Sequence, residues 1–152
     1  MKTLVVYDSV YGNTEEIAKA IGDAISGEIK MVHISAENLK ELAGIDLLII
    51  GSPTHGGRPT PAIQDFLDRG LETAIKGINV ATFDTRYSTW LVRIFGYAAE
   101  KIAGTLRKKG FVLILPPEGF FVKSKKGPLR EGELERAVNW AKEITKQSGS
   151  NM

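Results

Sequence analysis

At 152 residues, with 43% hydrophobic and 25% charged side chains, the chain is sized and composed for one globular domain with its own core. Its net charge of +2, with both signs interspersed, excludes the basic footprint of a nucleic-acid binder. The absence of cysteine excludes disulfides, thiolate metal sites, protein-held iron–sulfur clusters and thiol catalysis, so redox chemistry here would need a borrowed cofactor. The longest apolar runs, LLII (47–50) and FVLIL (111–115), fall far short of the roughly 20 residues of a membrane span. The N-terminus leads straight into a strand pattern without a secretion signal, so a cytoplasmic protein without membrane contact is expected.

Strand and helix patterns alternate along the whole chain. TLVVY (3–7) is a first strand, followed by helical apolar spacing over 14–26. IKMVHI (29–34) is the second strand, followed by a short helix over 37–43. DLLIIG (46–51) leads to a helix over 61–69, and INVATF (78–83) to a long one over about 90–109. FVLIL (111–115) is the fifth strand, and 131–147 is the last helix. Continuous apolar runs are expected of strands covered on both faces. Five such units predict an α/β fold: an open parallel sheet with helices on both faces, spanning residues 1–147 as one domain. Residues 148–152 (SGSNM) are expected to form a frayed tail.

In such a sheet ligands sit beyond the carboxyl ends of the strands, so the loops after the strands carry the functional signal. The first is Ser9-Val10-Tyr11-Gly12-Asn13-Thr14. Its backbone N–H groups, the hydroxyls of Ser9 and Thr14, the Asn13 amide and the following helix N-terminus make a neutral anion cradle. No lysine or arginine lies between Thr3 and Ala18. It is neither a Walker loop, since no Gly-Lys-Ser/Thr follows, nor a GxGxxG fingerprint. A receiver domain would need clustered acids after strand one, where Asp8 stands alone.

Val5-Val6-Tyr7-Asp8-Ser9-Val10-Tyr11-Gly12-Asn13-Thr14, followed by Ala18 and Ile21, resembles the flavodoxin signature position for position. That resemblance implies a three-layer flavodoxin-like fold with sheet order 2-1-3-4-5, and FMN held noncovalently by its phosphate in the first loop. It covers the whole chain in element order, and the length is similar to that of short flavodoxins. The second loop, Pro53-Thr54-His55-Gly56-Gly57, would then lie along the flavin edge, where a peptide flip at a glycine can turn a carbonyl to the ring. The third loop, Asp84-Thr85-Arg86-Tyr87, would serve the pyrimidine end. Tyr87 is the candidate stacking aromatic, with Trp90 and His55 as alternatives.

The resemblance implies an electron carrier between redox proteins, with no catalytic acid or base, no metal, and a monomer or weak dimer. An FMN-dependent oxidoreductase of quinone or porphyrinogen type would use the same loops, and a flavin-free interaction module could retain the fold. Two departures stand out, because typical flavodoxins are strongly acidic. Arg58 and Arg86 fall in flavin loops, with Arg93 nearby, and are expected to soften the repulsion felt by a reduced flavin. The acid-free run Lys123-Ser124-Lys125-Lys126-Gly127-Pro128-Leu129-Arg130 suits either a solvated loop or a docking face for an acidic partner.

Overall fold

The computed structural model describes residues 1–36, 43–71, 77–87 and 96–151. Residues 37–42 of the helix expected over 37–43, the first part of that expected over 90–109, and Trp90 and Arg93 lie outside the described residues. Strands β1 (Lys2–Tyr7), β2 (Glu28–His33), β3 (Leu47–Pro53) and β4 (Asn79–Arg86) pair in parallel. With β5 (Val112–Leu113) at the edge, the sheet runs β2-β1-β3-β4-β5, which is the expected order.

Alternation along each strand sends neighbouring side chains to opposite faces. Val5, Tyr7, Leu47, Ile49, Ala81 and Phe83 face one core. There they meet the apolar stripes of α1 (Asn13–Ala24) and α4 (Glu133–Asn151). Leu4, Val6, Leu48, Ile50 and Val80 face the other core. It is covered by α2 (Pro61–Asp65), the π-helical turn Phe66–Gly70 that continues it, and α3 (Ala98–Lys108). Two covered faces explain why β3 is buried along its entire length. On the α1/α4 side, Phe83, Phe120 and Trp140 meet edge to face, with ring centroids 6.1–6.2 Å apart.

Two expectations need correction. The fifth strand is not one run over 111–115. It is split into β5 (Val112–Leu113), beside Asn79–Val80, and β6 (Glu118–Phe121), beside Phe83–Arg86. Pro116 and Pro117 lie between the pieces and have no N–H to give to β4. The ladder therefore breaks at the prolines and resumes after them. The last helix also continues to Asn151, through residues expected to fray. Ala137, Trp140, Ala141 and Ile144 form its buried stripe, and Ser148, fully buried, extends that stripe by one more turn.

Among the described residues no helix is long and apolar enough to cross a membrane.

Candidate functional site

The loops beyond β1, β3 and β4 and the segment after β6 surround one cavity of about 620 Å³. Val10, Tyr11, Asn13 and Thr14 line it from the first loop, and Pro53, Thr54, His55, Gly56 and Gly57 from the second. Thr85 and Tyr87 line it from the third. Ser9, Gly12, Asp84 and Arg86 do not line the cavity, although the sequence pointed to them as contacts. Val122 and Lys125 do line it, and only Lys125 had left a signal, as part of the basic run.

The first loop is held from beneath by Asp8, which is buried. Its carboxylate accepts the Ser9 N–H at 2.9 Å and the Ser35 hydroxyl at 2.7 Å, and lies 3.1 Å from His33 Nε2. Burial pushes this carboxyl up, but hydrogen bonds from Thr60, Ser35, the Ser9 N–H and His33 together hold it below its ordinary value. Ser9 shapes the turn, because its Oγ accepts the N–H of Gly12 at 3.1 Å and of Glu15 at 3.3 Å. Gly12, at φ 93°, then starts α1. The Thr14 and Thr85 hydroxyls share a hydrogen bond of 2.8 Å and tie the first loop to the third. Val10 and Tyr11 stand exposed at the lip.

The second loop is a tight hairpin. The His55 N–H donates to the Arg58 carbonyl at 2.9 Å, and the Arg58 N–H returns a bond to His55 at 3.0 Å. Gly56 (φ 59°) and Gly57 (φ 78°) are both left-handed between them, as a two-residue turn of this twist demands. Thr54 pins the loop twice. Its N–H donates to the Thr85 carbonyl at 2.9 Å, and its hydroxyl accepts the Ala98 N–H at the start of α3 at 3.0 Å.

The third loop departs most from expectation. The strand before it was expected to end at Phe83, but β4 continues to Arg86. Residues 84–87 therefore alternate. Thr85 and Tyr87 line the cavity, while Asp84 and Arg86 pair on the other side. Arg86 donates to both Asp84 oxygens at 2.8 Å, and Asp84 Oδ2 also accepts the Ala99 N–H at 2.9 Å. The guanidinium lies 3.5 Å from the Tyr97 ring centroid. Burial pushes the Asp84 carboxyl up, against the pull of Arg86 and the Ala99 N–H. The Arg86 charge is thus matched inside the protein, and Arg58 does not line the cavity.

Residues 5–140 match the family model described as Flavodoxin. The chain belongs to the flavodoxin family. Flavodoxin 1 of Salmonella typhimurium is 28% identical, over 94% of this chain and 92% of that protein. The coenzyme F420H(2) oxidase of Methanocaldococcus jannaschii is also 28% identical, over 96% of this chain, which spans only 35% of the oxidase. The structure of a flavodoxin from the domain Archaea superposes with a TM-score of 0.80 at 24% identity, covering 98% of this chain and 99% of that one. Flavodoxins bind flavin, and the residues here fit such a group. The cavity combines neutral donors at a helix start, a glycine turn that lets backbone come close, and an exposed tyrosine. Among its lining residues none is acidic and only Lys125 is a cation.

Proposed function

We propose that the chain binds FMN in this cavity and carries electrons between redox proteins. The observation that carries the reading is the convergence of three separate loops on one cavity whose donors are almost all neutral. When bound, the flavin supplies the electron chemistry. The residues of this chain hold and surround it. The first loop and the α1 N-terminus bind the phosphate with N–H groups and hydroxyls. The Gly56-Gly57 turn lets main chain approach the ring, and Tyr87 offers it an aromatic face. The protein partners would meet the cavity mouth, where the exposed residues of the 123–130 run supply positive charge.

The likeness to part of an oxidase along nearly the whole chain favours a second reading, an FMN-dependent oxidoreductase, for which the expected quinone and porphyrinogen types are the substrates to test. One set of measurements separates the two. The purified full chain soaked with FMN should turn yellow at one flavin per chain, and a combined Asn13→Ala and Thr14→Ala variant should lose the colour. The wild type should accept electrons in resolved one-electron steps and turn over slowly with NAD(P)H and free quinone. Fast turnover would favour the enzyme, and a chain that stays colourless overturns both.

A further inference from the structure

Resting on the reading of the cavity as an FMN site, we propose that Lys125 is the cationic partner of the FMN phosphate, carried to the first loop by the segment after β6. A phosphate monoester holds between one and two negative charges at neutral pH, whereas the first loop has only neutral donors. Those donors can hold a phosphate by themselves, so a cation brought to the same cavity from elsewhere in the chain would add to their grip, and Lys125 lines that cavity.

Residues 122–129 form a hairpin. Val122 bridges Leu129, and the Lys123 N–H donates to the Pro128 carbonyl at 2.8 Å. The turn is closed by the Gly127 N–H to the Ser124 carbonyl at 2.9 Å and by the Ser124 hydroxyl to the Gly127 carbonyl at 2.6 Å. Its base is fixed to α4, because Glu133 accepts the Phe121 N–H at 2.7 Å and Arg136 bonds Glu118 at 2.7 Å.

The hairpin tip is seated on the first loop. Asn13 Nδ2 donates to the Lys126 carbonyl at 3.2 Å, and Gly127 lies so close that a Cβ there would be 2.5 Å from Asn13 Oδ1. The Lys126 ammonium sits 5.9 Å from the Tyr11 ring centroid. Lys125, one residue before the carbonyl that Asn13 holds, lines the cavity that Val10, Asn13 and Thr14 also line. With no acidic residue in the lining and no ion pair to Lys125 among the described residues, its ammonium is available to an anion. It acts as a point charge on a flexible stem, next to donors that fix the phosphate's orientation.

The test compares FMN with riboflavin, which lacks the phosphate, by fluorescence titration of the flavin-free full chain. Lys125→Gln should weaken FMN binding about tenfold at low ionic strength, the size expected of one charge-assisted contact, and leave riboflavin binding unchanged. Lys125→Arg should restore most of the loss. The gap between wild type and Lys125→Gln should close toward 1 M salt, where the screening length falls to about 3 Å. Lys142→Gln, which removes one exposed positive charge from α4, should change nothing. Equal losses for both ligands, or no loss for FMN, would overturn the role of Lys125 while leaving the FMN site standing. Failure of the wild type to bind FMN would overturn the site reading, and this inference with it.

Discussion

Two carboxylates lie buried at the carboxyl edge of the sheet, Asp8 just beyond β1 and Asp84 within β4, and they are held in opposite ways. Asp8 is surrounded mainly by neutral donors, whose hydrogen bonds outweigh its burial and keep its carboxyl below the ordinary value. Asp84 meets a full positive charge, yet it is so enclosed that burial pushes its carboxyl up. Neither lines the cavity. Asp8 fixes the first loop from below, and Asp84 fixes the start of α3 and the end of β4. The contrast teaches that a charged residue in a ligand-facing loop can serve by pointing away from the ligand. Both acids organise the site while their negative charge stays out of its wall.

The largest test of that contrast is Arg86→Ala. It would leave Asp84 buried without its partner, at a cost of about 3–5 kcal/mol in urea unfolding; a loss below about 1 kcal/mol would mean that the pair is effectively solvated. The next is Asp8→Asn, read against pH. Because the Asp8 carboxyl is depressed in the folded chain, its ionised form contributes stability that is fully present above the ordinary carboxylate range. That contribution disappears as pH falls through the folded value. The variant should therefore be about 1–2 kcal/mol less stable at neutral pH, and the difference should shrink as pH falls through the ordinary carboxylate range and vanish below the depressed folded value. A gap that persists in acid would assign the effect to packing instead. The smallest test is Thr85→Val, at the residue after Asp84, which removes the hydroxyl shared with Thr14. It should cost about 1 kcal/mol and weaken flavin binding several-fold, measured by the same titration. Unchanged affinity would show that the first loop keeps its shape without the third.

Much of the architecture was legible because β1 and β3 carry continuous apolar runs and the helices carry clear stripes. The first two loops were legible because their chemistry is local: hydroxyl, amide and glycine residues stand in one short segment. What the sequence hid was non-local. Asp84 and Arg86 read as loop residues because nothing nearby reveals that β3 on one side and β6 on the other carry β4 on to Arg86. The strand split was hidden for a related reason. Pro116 and Pro117 mark a break in any strand, but not that pairing resumes beyond them. Lys125 was visible only as one charge in a basic run, since the contact that seats it joins Asn13 to Lys126, 113 positions apart in the chain.

That span bears on biosynthesis. A nascent polypeptide on the ribosome displays the first loop early, but the clasp closing over Asn13 emerges only after most of the remaining sequence has been translated. On the proposed FMN reading the complete grip would form late in synthesis, and a truncation upstream of β6 would leave the cavity without the wall that Val122 and Lys125 supply.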